Sequence, residues 1–560
     1  MATATPAPAT TSRTWLFGPW VDLLLGYGLG YALAVGPLLA VGYATGTTQW
    51  PKFAAVAFGL LISTPHYGAT IIRAYERAQD RRRYVVFTVW TSLALVAALV
   101  AGTHSVLLAS VLVTLYMTWA PWHFSGQNYG LAVMALRRRG ADVAPSTKRW
   151  FYASFVLSSV LAMLAIHMGD ANIVWAPETV DVDDVPALIK LGISPGLGRG
   201  LTALVAIAYV LSLAVTFRRL ARVAAWSELV GVVLLVLTQA LWFAIPTLLG
   251  WQLARRGTLA FAAVWVSAAH AAQYLWVTAY YAKRADPGIR VSHFLGKTLL
   301  AGGLVTVLPG VLLAPSLFGS MAWDGGLAVT LFAVVNLHHF VLDGAIWKLR
   351  DGRVARILIA SEPAVPAEYE IGSPRRRWGW RSALALGALC LTIPVIQVLH
   401  TEFTIKRGTD IDRMQRAMHH LVWIGREGAR ARASLGRYFA YRKRYDLAAS
   451  QFERSLELLP TPVAWIGLAE LHASGGRSTE ALAAYDEALR LQPDHVGALL
   501  GSARLRLKLA TGASPVLTTQ RRDEAIALLE KGLVLQPDNL ALAQELARAR
   551  RLASDEGAGQ

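Results

Sequence analysis

Eleven runs of about twenty apolar residues fill the first 400 positions, at 21–43, 52–73, 84–102, 105–136, 150–168, 200–217, 228–250, 258–282, 295–318, 325–347 and 381–399. A helix of that length spans the hydrocarbon core of a bilayer, where every backbone polar group needs a partner within the protein. The runs therefore predict transmembrane helices. With 54% hydrophobic and 16% charged residues over 560 positions, the chain has too little polar surface for an ordinary soluble enzyme. Pro121 lies inside the long fourth run and predicts a kink or an interfacial extension there.

The net charge of +18 could point to nucleic acid, but the basic residues gather in short clusters between apolar runs, the pattern of cytoplasmic loops. Arg73 to Arg83, Arg137 to Arg139, Arg218 to Arg222, Lys283 with Arg284, and the segment from Lys348 to Arg377 all follow even-numbered runs. The acidic loop with Glu178, Asp181, Asp183 and Asp184 follows the fifth, and Arg255 with Arg256 is the exception. This alternation predicts a cytoplasmic N-terminus, a C-terminal domain outside the cytoplasm, and a bacterial inner membrane as the location. Residues 1–20 read as a flexible Pro/Ala/Thr-rich tail without a secretory signal. Cys390 is the single cysteine, so no disulfide framework and no thiolate metal cluster forms within one chain.

After His400 hydropathy drops and amphipathic helical periodicity takes over, with 401–429 as a connecting helix or linker. Leu435, Gly436, Phe439, Ala448, Phe452 and Pro460 are followed by a second unit with Trp465, Leu468, Ala469, Ala481, Tyr485, Ala488 and Pro493. A third, interrupted around Thr511 to Gln520, resumes at Ala525, Leu529, Gly532 and Pro537. This spacing resembles tetratricopeptide (TPR) repeats, in which small residues let paired helices approach, large ones fill the gap and proline ends the second helix. The resemblance covers 430–560 and implies a platform for a protein partner; three short units could equally serve only to pack on the membrane domain. The fold class expected is all-α: a polytopic transmembrane helix bundle followed by a TPR-like α-solenoid.

Ionisable residues inside apolar runs are costly and usually functional. His66 lies in the second run, His123 in the fourth, His270 in the eighth, and His338 with His339 in the tenth. All four runs are even-numbered, so the helices run in one direction and bring their histidines to similar depths near the basic end. Gln127 follows His123 by four positions, Gln273 and Tyr274 follow His270 by three and four, and Asn336 and Asp343 flank His339 by three and four, which places each on its histidine's face. A ligating imidazole needs such a partner for its second nitrogen. His338 points about 100° away from His339. Three readings compete: a shared metal centre, a proton or ion pathway, and unconnected helix-to-helix hydrogen bonds. In the first, His66, His123, His270 and His339 are the ligands, His338 is an extra ligand or base, Tyr274 and Asp343 take part in catalysis, and Gln127, Gln273 and Asn336 support the ligands.

Imidazole and carboxylate ligands without thiolate suit iron, copper, manganese or zinc, and a site among apolar helices suits oxidation of something dissolved in lipid. Non-haem iron with open positions is the usual device for activating oxygen, and a haem held by two of the histidines is a further option. The histidine-bearing runs and the segment from Pro65 to Thr70 resemble the Brp/Blh-type carotene cleavage dioxygenases, a likeness that implies iron held by membrane histidines; Tyr67 interrupts the Pro-His-Gly segment of that family. A membrane glycosyltransferase would carry a carboxylate in its first external loop, and residues 44–51 contain neither Asp nor Glu. The function expected is that of a metal-dependent, iron-containing integral membrane oxidoreductase or oxygenase acting on a lipophilic substrate, with a protein partner on the repeats and no nucleic acid. The alternative is a non-enzymatic membrane scaffold that recruits partners through its TPR repeats.

Overall fold

In the computed structural model the described residues are 14–34, 37, 57–169, 173–174, 185–248, 256–349, 351–360, 374–510 and 515–557. They are helical almost throughout, apart from one antiparallel pairing of Ile173–Val174 with Ala187–Leu188. Among the described residues, seven helices are long and apolar enough to cross a membrane: Val106–Arg138 (α3), Pro145–His167 (α4), Pro195–Leu220 (α5), Trp226–Leu248 (α6), Val291–Leu312 (α8), Trp323–Ile346 (α9) and Pro374–Ile405 (α10). The second, third and eighth apolar runs correspond to Thr64–Tyr75 (α1), the shorter apolar helix Val86–Gly102 (α2) and Arg256–Ala285 (α7). The run around Pro121 is one helix of 33 residues.

The first run departs from a single span in its described part. Helix breaks at Tyr27 and Gly28, where Gly28 has a φ of +87°, and Asp22 before the break is fully buried. Its carboxylate accepts hydrogen bonds from the backbone N–H groups of Leu16 and Phe17 and, at 2.8 Å, from Trp276 Nε1. The expected flexible tail accordingly ends early: Trp15, Leu16 and Phe17 lie against the core, and Arg138 donates to the Trp15 carbonyl at 3.0 Å. The loop at 44–51, the acidic residues 178–184, Arg255 and residues 361–373 lie outside the described residues.

Two glycines set the helix that carries His66. A Cβ on Gly68 would sit 1.8 Å from the Thr298 carbonyl oxygen, and one on Gly302 would sit 1.8 Å from that of Thr64. Only glycine on both sides lets α1 and α8 meet backbone to backbone, the small-residue packing usual between membrane helices. Gly387 extends the seam to α10, where a Cβ would meet the Leu300 carbonyl at 2.0 Å.

The basic segments meet at one end of the bundle. Asp80 pairs with Arg73 (2.8 Å) and Arg353, and Arg83 pairs with Asp351 at 3.0 Å. Arg138 caps the Leu358 carbonyl at 2.7 Å, and Arg139 that of Ser227 at 2.9 Å. Burial pushes the Asp80 carboxyl up, but the guanidinia of Arg73 and Arg353 outweigh it and hold the group below the usual carboxylate range. The repeat domain attaches at the other end of α9: Asp324, at its start, is 3.5 Å from the Arg430 backbone N–H.

That repeat domain is a run of paired helices: Ala429–Tyr441 (α12) with Tyr445–Leu458 (α13), Pro462–Ser474 (α14) with Ser478–Leu491 (α15), Val496–Ala510 (α16) with Pro515–Leu535 (α17), then Leu540–Gly557 (α18). Phe452 shows how the repeat pattern works. Its ring fills the space over Gly436 and Gly467, at each of which a Cβ would come within 3 Å of it. Tyr485 does the same over Gly501. Two expectations shift. The supposed linker contains Ile411–Trp423 (α11), whose buried face of Met414, Ala417, Met418 and Leu421 shares one core with Leu435, Phe439 and Phe452, so it is part of the repeat domain. The interruption at 511–520 becomes an early start of α17, which is helical from Pro515; residues 511–514 lie outside the described residues.

Candidate metal centre

Four helices deliver the four histidines to one place. From α1, α3, α7 and α9, the rings of His66, His123, His270 and His339 have centroids 4.1 Å (His66 to His339), 5.0 Å (His66 to His270) and 5.1 Å (His123 to each of His270 and His339) apart. His66, His270 and His339 are at most 3% exposed. Two overlapping sets of possible ligand atoms, each within 4.8 Å of one another, come together: His66, His270 and His339, and His123, His339 and Asp343.

The distances fit an ion. His66 Nε2 and His270 Nε2 are 3.2 Å apart, the separation of two imidazoles that share one ion at about 2.1 Å with an angle of about 100°. His339 Nδ1 lies 2.9 Å from Thr70 Oγ1. In the tautomer that donates Nδ1–H to that hydroxyl, Nε2 presents its lone pair, and Nε2 is buried without a hydrogen bond, 3.3 Å from Asp343 Oδ2. His123 Nε2 is likewise buried without a partner. His66 Nδ1 and His270 Nδ1 are also buried without a partner, while the Nε2 atoms of these two rings lie within hydrogen-bonding distance of each other; a buried polar atom left unpaired costs about 1–3 kcal/mol.

The supporting groups divide. Asp343 accepts from Tyr274 Oη at 2.8 Å and Thr70 Oγ1 at 3.1 Å, and Trp347 Nε1 donates to Tyr274 Oη at 2.8 Å, forming one network behind His339. Gln127 does not reach a ring: its amide donates to the His270 carbonyl (3.1 Å) and to Gln273 Oε1 (3.2 Å), while Gln273 donates to the Gly26 carbonyl. Asn336 accepts from Tyr67 at 3.0 Å, and the Tyr67 ring lies against His66, so its influence is indirect. His338 points away from the cluster and binds Ser92 (2.9 Å) and Tyr75 (3.0 Å). Sequence reasoning missed Thr70, Tyr67 and Trp347. Thr70 was within reach, four positions after His66 on the same helix face.

A cavity of about 480 Å³ opens beside the cluster. Trp119, Trp122, Phe87 and Phe340 give it apolar walls; His123, Tyr274 and Asp343 reach it, whereas His66, His270 and His339 do not line it. Gly126, Gly130 and Gly344 also line it, and a Cβ at any of the three would meet open space. Trp122 is 46% exposed on the outer surface of the bundle.

Fold and site together define an all-α protein with membrane-spanning helices, a buried cluster of histidines and a helical repeat domain. Residues 462–505 match the family model of the tetratricopeptide repeat, so the repeat character of α14 to α16 is shown there. That match covers no part of the membrane domain. No curated protein matches the chain.

Proposed function

We propose that the membrane domain is a metal-dependent oxidoreductase, with iron as its metal, acting on a lipophilic substrate, and that the TPR domain holds a protein partner. The observation that carries this reading is the convergence of His66, His123, His270, His339 and Asp343 beside an apolar cavity. An all-nitrogen and oxygen ligand set with an open side suits non-haem iron, which when bound would supply oxygen activation. His66 and His270, with their Nε2 atoms 3.2 Å apart, would hold a bare ion from one side.

The chain's own residues supply the rest. His66, His270 and His339 form the closed side of the site, and His123 and Asp343 face the cavity. Trp119, Trp122 and Phe340 hold an apolar molecule and exclude water. Tyr274 lines the cavity, and its hydroxyl, held by Thr70 and Trp347, donates to Asp343 and positions that carboxylate. The half-exposed Trp122 marks lateral entry from the lipid, and the basic end of the bundle is assigned to the cytoplasm of a bacterial inner membrane.

Metal analysis of the detergent-purified full-length chain tests the reading. Stoichiometric iron is expected, reduced at least about tenfold in His270→Ala and His123→Ala. Metal-free protein that retains its fold would favour the scaffold alternative.

A further inference from the structure

The cavity beside the histidines is a slot with a direction. Its α3 wall is one helix face, on which Trp119, Trp122, His123, Gly126, Gly130 and Met134 recur at helical spacing over about 22 Å. Helix α9 runs alongside in the same sense, since Tyr116 packs on Phe332 and His123, two turns further on, stacks on Phe340. Spread over that length, the cavity of about 480 Å³ has a bore of about 22 Å². That is the section of a square about 4.7 Å wide, the spacing at which extended chains lie side by side. The slot admits one straight chain and excludes fused rings.

Its two ends differ. Trp122, Gly126 and Gly344 are exposed, and a Cβ on either glycine would meet open space, so the mouth lies between α3 and α9. Toward the basic end of the bundle the slot is blind: Leu131, Met134, Val277 and Leu358 are at most 7% exposed, and Arg138 holds the Leu358 carbonyl at 2.7 Å. Trp347 in this arm already donates its Nε1–H to Tyr274, and no Lys or Arg is among the described residues that line the slot. Gly126 precedes Arg137 by 11 residues, about 16 Å of helix. That is half of a bilayer core of about 30 Å, so the mouth opens at the mid-plane, where a charged headgroup is costly.

We propose that the substrate of this centre is an uncharged, unbranched aliphatic chain that enters sideways from the mid-plane and threads one end into the blind arm. The depth of the arm then selects the carbon presented to His123 and Asp343. This deepens the metal-centre reading and rests on it. Met134 follows His123 by 11 residues, again about 16 Å. C–C bonds of about 1.5 Å advance an extended chain by about 1.25 Å per carbon, so about a dozen carbons lie between the chain end and the position that meets the centre. The whole slot holds about 17 carbons.

The test equilibrates the full chain, in phosphatidylcholine nanodiscs, with a mixture of n-alkanes of graded length together with squalane, cholestane and palmitate. Gas chromatography then measures what the repurified discs retain beyond empty discs. Retention is expected to peak near about 17 carbons. Gly130→Leu blocks the slot one turn before Met134 and should lower the optimum by about five carbons, whereas Met134→Ala removes the tip of the floor and should raise it by about three. A Cβ on Gly130 meets open space, so Gly130→Leu carries the test if Met134→Ala, at a buried site, does not fold. No length optimum, an optimum that neither variant moves, or retention of the branched, fused-ring or charged molecule instead overturns the proposal. Iron measured on the same samples separates the two claims. Bound iron without a length optimum overturns this inference alone, and a length optimum in protein that takes up no iron supports the chain site while refuting the metal reading.

Discussion

Thr70→Val removes one hydroxyl at nearly constant volume, at a residue that is 1% exposed. That hydroxyl touches Tyr274 Oη at 2.7 Å, His339 Nδ1 at 2.9 Å and Asp343 Oδ1 at 3.1 Å. Tyr274 keeps Trp347 and Asp343 as partners, and Asp343 keeps Tyr274, but His339 Nδ1 loses the contact that orients its ring. With no cavity created, the loss is that of one buried donor, about 1–3 kcal/mol. For a group that orients a ligating imidazole this corresponds to metal affinity weakened about 10- to 100-fold. Iron affinity by chelator competition reads the effect, and Thr70→Ser, which keeps the hydroxyl, is expected to stay within about threefold of the parent. Equal metal affinity in Thr70→Val and Thr70→Ser would refute the role of this hydroxyl and the orientation of His339 argued from it.

Gly68→Ala drives a methyl into the Thr298 carbonyl and is expected to separate α1 from α8, lowering stability by about 1–3 kcal/mol or more and releasing metal, as thermal melts and elemental analysis would show. Gly126→Phe places a ring in open cavity space, so lipophilic molecules recovered by solvent extraction should fall while metal content stays unchanged. Burial pushes the Glu427 carboxyl up, but Arg454 and Arg432 outweigh it and hold it below the usual range, so its folded pKa lies under the unfolded value. Its stabilisation is then complete above about pH 4.3 and is lost as pH falls through the folded pKa; acid melts of the full chain should show this loss, and Glu427→Gln should lack that part of the pH dependence.

What could be read in advance follows the geometry of a single helix. Residues three or four apart share a face, so the alignment of Asp343 with His339 and the divergence of His338 were both visible in one run of letters. The repeat pattern was legible because Gly436, Phe452 and Gly467 interlock locally, between helices adjacent in sequence. Contacts between distant helices were not. Helices as apolar as these carry little amphipathic signal to mark which side meets which neighbour. Gln127 and Gln273 therefore stood on the right faces, yet their amides meet backbone carbonyls and each other. The paired glycines Gly68 and Gly302, 234 positions apart, carry no local mark of their meeting. Nor does Arg426, one of many arginines in the C-terminal part, signal that its guanidinium stacks on Trp323.

X-ray absorption at the iron edge, on the full chain purified in detergent, measures the coordination that everything functional here depends on. A first shell of nitrogen and oxygen at about 2.0–2.2 Å, with outer-shell scattering from at least three imidazoles that diminishes in His270→Ala, is the expected result. A spectrum without imidazole scattering, or protein that takes up no iron when reconstituted, would contradict the metal centre.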